Sequence, residues 1–239
     1  MKNGPEIIYE DEDVVVLNKP AGMLSVPDRN DAALVSVRTW GMANFETFLI
    51  VHRLDRDTSG ILIAAKNPPA HTVLNDQFAT RQVEKTYVAL LLGTPVADVL
   101  HMEEPIRFTG QGTKMMVDPR GKYASTHLRI LKRYRGYTWV ELRPETGRTH
   151  QLRVHLEHLG YPIVADEIYG DGKGLYLSSI KRKFQLGKNA EERPLLQRLA
   201  LHAASLKIPH PASGEMMHFL AELPKDLKAS LSQLDKWAS

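Results

Sequence analysis

The stretch that decides the fold is His52-Arg53-Leu54-Asp55-Arg56-Asp57-Thr58-Ser59-Gly60-Ile61-Leu62-Ile63-Ala64-Ala65-Lys66. Its second half, from Ile61 to Ala65, is an unbroken apolar run whose length is typical of a buried strand. Its first half is charged and rich in hydroxyl groups, so a polar loop leads directly into a rigid element. Functional groups are often found on such loops, and Asp55 is the most informative of them. The competing interpretation, which spacing alone favours, is a capping turn in which Asp55 or Asp57 accepts hydrogen bonds from backbone amides.

Composition limits the classes of protein and of chemistry. The chain has 239 residues, 43% of them hydrophobic and 25% charged, which suits one large domain or two small ones. It has no cysteine, so disulfides, thiolate metal sites and thiol nucleophiles are excluded. No apolar run approaches the roughly 20 residues that span a bilayer, and the polar, acidic N-terminal residues are unlike a signal peptide. We therefore expect a cytoplasmic protein without a membrane segment.

Positive charge is concentrated in two segments, although the net charge is only +3. Residues 119–155 carry nine Lys or Arg against two acidic residues, and residues 173–198 carry seven against two. Such segments can line a positive surface that binds the phosphates of nucleic acid. A solvated basic face explains the same charges equally well.

Outside the opening stretch, alternating apolar patterns and turn residues mostly predict strands. The turn at Arg135-Gly136 joins two of them in the pattern of an antiparallel hairpin. We predict an α+β fold with a mixed, largely antiparallel β-sheet and flanking helices. A single domain over residues 1–239 is expected, with a basic insertion or loop at about 170–198. The predicted strands lie at about 6–9, 14–18, 61–65, 86–93, 126–134, 137–143, 200–208 and 217–223, and the predicted helices at about 31–44, 68–80, 146–160 and 225–237.

A second motif lies in Val83-Glu84-Lys85-Thr86-Tyr87-Val88-Ala89. On a strand, Lys85 and Tyr87 project from the same face because side chains alternate. An aromatic ring beside a cation can stack on a nucleobase and hold its polar edge. The more common interpretation of such a pattern is a half-buried tyrosine and a solvated lysine on an edge strand.

A third motif is Arg143-Pro144-Glu145-Thr146-Gly147-Arg148-Thr149-His150-Gln151-Leu152-Arg153. Leu152, Leu156 and Leu159 recur at helical spacing and predict a buried stripe, which places Arg148 on that stripe at the start of the helix. An inward arginine requires an anionic partner. The histidines at 150, 155 and 158 do not have the spacing of a known zinc motif, so no metal site is expected there. No phosphate-binding glycine pattern is present, which argues against a nucleotide cofactor.

Together these motifs resemble the RluA family of RNA pseudouridine synthases. His52-Arg53-Leu54-Asp55 with Thr58-Ser59-Gly60 is similar to the family's catalytic loop, Lys85-Thr86-Tyr87 to its second motif, and Gly147 to Arg153 to its third. The early Asn18-Lys19-Pro20-Ala21-Gly22 is similar too. The resemblance runs from about residue 7 to 223 in the expected order. It implies the pseudouridine-synthase catalytic fold.

The resemblance also implies a reaction. A uridine in structured RNA, ribosomal or transfer RNA or both, is flipped out, its C1′–N1 bond is cut, and C5 is joined to C1′. By likeness, Asp55 is the catalytic carboxylate, Tyr87 packs on the uracil, and Arg148 pairs with Asp55. Whether Asp55 attacks C1′ or removes a ribose proton is left open. No cofactor and no metal are expected.

The resemblance also suggests how RNA is bound. Arg53 resembles the residue that enters the RNA stack where the target base leaves it, and Leu152 an apolar wall of the pocket. His52 and Lys85 are further substrate-binding residues. Many family members carry a small RNA-binding domain before the catalytic one, whereas here the first catalytic strand begins near Ile7. We therefore expect the segments at 119–135 and 173–198 to choose the RNA. A monomer is expected because no spare amphipathic interface stands out in the sequence.

Two other functions fit parts of the pattern. A non-catalytic RNA-binding or RNA-folding protein could retain this fold, although intact Asp55, Tyr87 and Arg148 argue against it. A base-excising glycosidase would release free uracil and leave an abasic site. Simple glycoside hydrolysis generally uses two carboxylates and a water molecule, whereas the resemblance implies one catalytic carboxylate and a leaving base that itself returns as the nucleophile.

Overall fold

The computed structural model describes residues 4–28, 31, 34–187 and 191–239. Its strands are β1 (Glu6–Glu10), β2 (Val14–Lys19), β3 (Leu49–Ile50), β4 (Ser59–Ala65), β5 (Glu84–Leu92), β6 (Val99–Met102), β7 (Ile106–Phe108), β8 (Met115–Val117), β9 (Thr126–Tyr134), β10 (Tyr137–Pro144), β11 (Leu201–Pro209) and β12 (Met216–Leu220). Its helices are α1 (Val37–Asn44), α2 (Pro68–Ala79), α3 (Gln151–His158), α4 (Leu177–Ile180) and α5 (Lys225–Trp237). None of these helices is long and apolar enough to cross a membrane.

The chain forms two compact units. The first comprises Met1–Thr86 and His202–Glu222, and the second comprises Tyr87–Leu201 and Leu223–Ser239. The chain therefore passes between the units within β5, within β11 and once more before α5.

The first unit is built on a mixed sheet in the order β1-β2-β4-β11, with β12 on β11 and β3 on β4. Strands β4 and β11 run parallel, with His202 opposite Ser59, and the other pairs in this unit are antiparallel. The long connection that parallel strands require is provided by the residues between β4 and β11. Strand β4 thus lies inside the sheet.

Strand β4 is buried on both faces, which explains its unbroken apolar sequence. Ile61 and Ile63 pack on one face with Leu74 of α2, while Leu62 packs on the other with Val37 of α1. All seven residues of β4 are buried. The predicted strand at 61–65 is confirmed, and it gives the polar loop before it a rigid base.

The second unit contains the antiparallel order β5-β10-β9-β6 and the separate hairpin β7-β8. The predicted hairpin at 126–143 is confirmed, and its turn residue Gly136 has φ +79°. The core of this unit combines Leu90 and Leu142 of the sheet with Leu156 of α3 and Leu227 of α5. Sheet and helices together confirm the predicted α+β class.

The observed helix ends show where local sequence signals were enough to predict a boundary. Asn67 caps α2 as predicted, with its Oδ1 accepting from Ala70 N at 2.8 Å, and α5 has the predicted bounds. The predicted start of the first helix at Asp31 is wrong. The helix begins at Val37 because Ser36 and Thr39 form a reciprocal capping box.

Several elements of the second unit were not predicted from the sequence. Strands β6, β7 and β8 lie between 99 and 117, where the pattern gave no prediction. The segment at 170–198 contains α4 and contributes Leu175, Ile180 and Leu196 to the core. Its apolar residues are widely spaced in sequence, so no periodicity marked them.

Candidate active site

The loop between His52 and Ser59 is tied to the end of β2 through a buried lysine. Lys19 is fully buried, and its ammonium group donates to the carbonyl oxygens of Pro20 at 2.9 Å, Met23 at 2.7 Å and Arg56 at 2.9 Å. The Arg56 carbonyl also accepts from Gly22 N at 2.9 Å. A buried charge is tolerated when hydrogen bonds replace its hydration. The early Asn-Lys-Pro-Ala-Gly motif therefore fixes the main chain next to Asp55.

Ser25 holds the same loop one residue before Asp55. Its hydroxyl donates to the carbonyl of Leu54 at 2.7 Å and accepts from the Leu54 amide at 2.9 Å. Both residues are buried. The Asp55 carbonyl then accepts from Thr58 N at 3.2 Å, which closes the turn. The main chain on both sides of Asp55 is thus fixed.

The end of the loop is fixed by β11. The buried Ser59 hydroxyl lies 2.9 Å from Nδ1 of the fully buried His202, whose Nε2 lies 3.3 Å from the Ala221 carbonyl. Gly60 has φ +113°, and a Cβ atom placed there would lie 2.2 Å from the Ala203 carbonyl oxygen. The glycine of Thr-Ser-Gly is therefore required by both its conformation and this close approach.

His52 begins the loop as a half-buried, neutral side chain. Its Nε2 accepts from Ile63 N at 3.0 Å, and its ring stacks on Phe78 at 4.7 Å. Burial, together with the charge of Lys85, lowers the pKa of His52 to about 3. The pKa of Lys85 is also lowered, because burial disfavours its charged form. The structure thus brings His52 and Lys85 together within the first unit.

The two charged side chains that the resemblance singles out in this loop differ in exposure. Asp55 is half-buried, whereas Arg53 is exposed. Asp57, the other carboxylate of the motif, is also exposed. Asp55 is therefore the carboxylate with reduced access to solvent, as a reacting group in a pocket requires.

In the second unit, a side-chain amide holds the turn that carries Arg148. Gln151 Oε1 accepts from the Thr146 hydroxyl at 2.6 Å and from Arg148 N at 3.0 Å. Its Nε2 donates to the Ser125 carbonyl at 2.8 Å and lies 2.9 Å from the Thr126 hydroxyl. All four hydrogen-bonding positions of this buried amide are used. Gln151 thus fixes residues 146–148 against β9.

The predicted helix start at Thr146 is wrong, because residues 146–150 form this turn and α3 begins at Gln151. His150 has φ +54° and no side-chain cap, and its Nδ1 lies 2.9 Å from the Tyr169 hydroxyl. Arg148 is half-buried and precedes the helix instead of lying on its stripe. Its Nε donates to the Tyr123 carbonyl at 2.9 Å.

The other predicted residues of the second unit lie on its sheet and on α3. Tyr87 is half-buried in β5, opposite Leu142 of β10, and packs against the core. Leu152 is buried in α3 and belongs to the same core. The predicted buried stripe of Leu152 and Leu156 is confirmed.

Helix α3 is anchored by a buried ion pair. Arg153 donates through Nε and a terminal nitrogen to Asp166, both at 2.8 Å, and neither residue is more than 7% exposed. Burial alone would raise the pKa of Asp166, but the hydrogen bonds and charge of Arg153 hold it below its usual range. The Tyr169 ring lies 5.0 Å from the guanidinium group. Arg153 therefore has a structural role in positioning α3.

Several of the positive charges in the two basic segments are paired with acidic side chains or with an aromatic ring. In 173–198, Lys181 lies 4.5 Å from the Trp237 ring and Arg198 pairs with Asp226 at 2.8 Å. In 119–135, the ion pairs are Arg120 with Asp118, Arg129 with Glu141, Lys132 with Asp235, and Arg133 with Asp98. Across the described part of both segments, the exposed cations for which no ion pair is found are Lys122, Arg135, Lys173, Arg182, Lys183 and Arg193, of which Arg135 donates to the main-chain carbonyls of Ile180 and Trp237.

A family model described as RNA pseudouridylate synthase matches residues 13–158, more than half of the chain. The chain belongs to the RNA pseudouridine synthases. These enzymes are isomerases, so the family and the enzyme class that the motifs predicted are confirmed. The matched region contains the loop around Asp55, β5 and the turn before α3.

Relatives and solved structures agree with this assignment. A protein of Pseudomonas aeruginosa is 39% identical over 235 residues, covering 96% of this chain and 71% of the relative. One of Yersinia pestis is 36% identical over 241 residues, covering 96% and 70%. Both are named ribosomal large subunit pseudouridine synthase D.

Two human structures share the fold. Human RNA pseudouridylate synthase domain containing 1 has a TM-score of 0.73 at 29% identity and covers 100% of this chain and 89% of its own. Domain containing 4 has a TM-score of 0.70 at 27% identity and covers 98% and 94%. The predicted pseudouridine-synthase fold is therefore confirmed.

The seven residues predicted from sequence are divided between the units. The first contains His52, Arg53, Asp55 and Lys85, and the second contains Tyr87, Arg148 and Leu152. Contact between Asp55 and Arg148 stays a prediction from the motifs.

Three residues that shape the site were not predicted from the sequence. Lys19 and Gln151 were quoted within motifs but were given no role. The position of Lys19, between an apolar strand and Pro-Ala-Gly, is unusual for a charged residue and was a usable signal. His202 has no local signal, because its partner Ser59 lies 143 residues away.

Proposed function

We propose that this RNA pseudouridine synthase modifies a uridine of large-subunit ribosomal RNA, with Asp55 as its catalytic carboxylate. The choice of RNA substrate rests on the relatives named above, since both are named ribosomal large subunit pseudouridine synthase D. The assignment of Asp55 rests on the rigidity of the loop that contains it. Its main chain is fixed at Leu54 and Arg56, on either side of Asp55, by buried contacts. Such rigidity holds a reacting group in position and saves the entropy of ordering it.

In this proposal Arg148 supplies the cation that keeps Asp55 ionised, and Tyr87 packs on the flipped uracil. Asp55 acts at the ribose C1′ side of the uridine, and the uracil returns through C5. The displaced base is itself the nucleophile, so a second carboxylate that activates water is not needed. The half-buried setting of Asp55 and Tyr87 supports this assignment, since water must be kept from the intermediate.

The remaining predicted residues bind the substrate. Arg53 is exposed and long enough to fill the gap left by the flipped base, which offsets a few kcal/mol of lost stacking. Leu152 supplies apolar surface. Lys85 and His52 border the loop, and the neutral state of His52 lets its ring pack without the cost of a buried charge.

We infer that the exposed cations of the two basic segments contact the RNA backbone. Lys122, Arg182, Lys183 and Arg193 support this role, because cations already held in ion pairs have less to gain from a phosphate. A triple change of Arg182, Lys183 and Arg193 to Glu is expected to weaken RNA binding and flatten its salt dependence. Changing the paired Arg129 to Glu, as a control, is expected to alter the salt slope less. Unchanged affinity and slope in the triple variant would contradict this role.

The catalytic proposal is tested by tritium release from RNA labelled at uracil C5. The parent protein is expected to release tritium, and Asp55→Asn to release none while still binding the RNA. Asp57→Asn is the matched control, since Asp57 lies in the same loop and is exposed. Release by Asp55→Asn at the parent rate would overturn the assignment. RNA binding without release by the parent would favour a non-catalytic role, and free uracil would indicate a glycosidase.

The target is tested by mapping pseudouridines in cells with and without this protein. Loss at sites of large-subunit ribosomal RNA is expected. Loss confined to transfer RNA would contradict the proposed substrate. We also propose that the protein acts as a cytoplasmic monomer without a nucleotide cofactor, with both units forming one catalytic domain. Sedimentation of the purified protein with and without RNA measures the oligomeric state.

A further inference from the structure

Two histidines of the second unit lie directly opposite each other on neighbouring strands. His101 of β6 and His127 of β9 are register partners, and their rings stack with centroids 4.0 Å apart and an interplanar angle of 6°. Their side chains are 40% and 42% exposed. Two imidazoles on one exposed sheet face are thus accessible from solvent.

A carboxylate meets these histidines from the end of β10. Glu145 Oε1 lies 2.7 Å from His127 Nε2, and its Oε2 accepts from the Ser125 hydroxyl at 2.7 Å. The same hydroxyl lies 3.0 Å from His101 Nε2. These hydrogen bonds place both carboxylate oxygens of Glu145 beside the two imidazoles.

The three side chains stand on a rigid base. Ser125 is fully buried, its carbonyl accepts from Glu145 N at 3.0 Å, and its amide donates to Thr146 Oγ1 at 3.1 Å. The same carbonyl accepts from Gln151 Nε2. A metal site requires ligands that are oriented by fixed neighbours. Here strand pairing orients the histidines, and Ser125 orients the carboxylate.

The donor set has a definite preference among cations. Imidazole nitrogens suit Zn²⁺ and other borderline divalent ions, whereas Mg²⁺ and Ca²⁺ prefer sites made of oxygen. Two histidines and one glutamate form a three-ligand zinc set that leaves a position for water. We propose that His101, His127 and Glu145 bind one zinc-like divalent cation on the surface of the second unit.

The distances agree with a site that closes around its ion. The three ligand atoms all lie within 4.8 Å of one another. Zinc bonds of about 2.0–2.2 Å require ligand atoms roughly 3.3 Å apart. Side-chain rotations that move these atoms by about 1 Å are enough to reach that spacing. Glu103 lies at the edge of the cluster, 4.0 Å from His101 Nε2, and adds negative charge. An ordinary His–Glu pair involves His127 alone, whereas here His101 also directs its Nε2 to the Ser125 hydroxyl that holds Glu145.

The cation would brace the turn that begins at Glu145. Thr146 and Arg148 follow directly and share Gln151 as a partner. A ligand that binds only the folded state stabilises it in proportion to its occupancy. The bound ion is therefore expected to raise Tm and to protect residues 145–148 from hydrogen exchange. The proposal does not depend on the proposed reaction, since it concerns this cluster alone.

The test is titration of the full chain with Zn²⁺ alone, followed by competition with a chromogenic chelator and by Tm. One ion per chain is expected. Glu145→Gln and His127→Gln are each expected to weaken binding roughly tenfold or more and to abolish the rise in Tm. Both side chains are exposed, so the variants should fold, and circular dichroism checks this.

Two controls locate the ion. His218→Gln removes an exposed histidine of the first unit that lies outside the cluster, and binding is expected to be unchanged. His210→Gln disrupts a second group among the described residues that could hold a cation, formed with Asp11 and Asp13, and is also expected to leave binding unchanged. Loss of binding in His210→Gln but not in His127→Gln would overturn the proposal. So would absence of binding, or binding that is equally strong in all four variants.

Discussion

The loop around Asp55 and the turn around Arg148 are both rigid, but they are held by different chemical groups. In the first, the main chain itself is bonded, by the Lys19 ammonium and the Ser25 hydroxyl. In the second, a single amide side chain, Gln151, bonds the turn on one side and β9 on the other. Contacts to the main chain fix a loop without using the side chains of the residues that they hold. A central amide instead makes the position of the whole turn depend on one residue.

The largest expected effect tests the close approach at the end of the first loop. Gly60→Ala combines an unfavourable φ with a Cβ atom 2.2 Å from the Ala203 carbonyl. We expect a loss of about 4 kcal/mol in the free energy of unfolding, from about 1–2 for strain and up to about 3 for overpacking. Gly22→Ala is the matched control, because Gly22 also has a positive φ but has open space around its Cβ position. Urea unfolding measures both, and equal losses would show that the close approach has no cost.

The next effect tests the bond between the loop and β2. Lys19→Met keeps the shape of the buried side chain but leaves the carbonyls of Pro20, Met23 and Arg56 without their donor. We expect a loss of roughly 3 kcal/mol, after the gain from not burying a charge is discounted. Lys66→Met removes a partly exposed lysine of the same unit and should cost about 1 kcal/mol or less. A Lys19 variant no less stable than the Lys66 variant would refute the role of the buried ammonium.

A smaller effect tests the amide of the second turn. Gln151→Met removes four hydrogen bonds from a buried site, and we expect a loss of roughly 2 kcal/mol. Because Arg148 N loses its acceptor, kcat is expected to fall more than KM changes. Gln77 is the matched control: it is also buried, but its Oε1 has no partner among the described residues. Gln77→Met should therefore leave the free energy of unfolding unchanged or raise it. Similar losses of stability in the two variants would show that the hydrogen bonds of Gln151 contribute nothing.

The smallest effect tests the neutral histidine at the start of the first loop. The pKa of His52 falls from 6.5 to about 3 on folding, so between these pH values the unfolded chain binds the proton and the folded chain does not. Stability from this source is present above pH 6.5 and is lost as the pH falls.

His52→Asn is therefore expected to lose less stability on acidification than the parent. Urea unfolding at about pH 7 and about pH 5 measures the difference. His155, whose pKa is also lowered by burial, is present in both proteins and cancels. Parallel pH profiles would show that His52 takes up protons equally in the folded and unfolded chains.

Structural elements could be predicted from the sequence where the signal lay in a few neighbouring residues. The apolar run of β4, the cap of α2 at Asn67 and the hairpin turn at Gly136 each depend on a few adjacent residues. The start of α3 could not be predicted, because residues 146–150 are held in a turn by hydrogen bonds to distant residues, among them Ser125 and Tyr123. The motifs identified the residues around Asp55, but not how they are held.

The contacts that could not be predicted are those between distant parts of the chain. His202 meets Ser59 across 143 residues, and the two histidines opposite each other on β6 and β9 are paired by strand register alone. A segment that contributes single apolar residues, as 170–198 does with Leu175 and Leu196, likewise has no periodicity. These features depend on topology, which local patterns do not encode.

The bond between Ser59 and His202 has a consequence for the order of events during synthesis. The segment around Asp55 leaves the ribosome long before β11, because 143 residues separate the two partners. At roughly 5–20 residues per second, about 7–30 s pass before His202 has been made. During this interval the strand after Asp55 lacks its parallel neighbour, so the nascent enzyme is inactive until most of its chain has been translated.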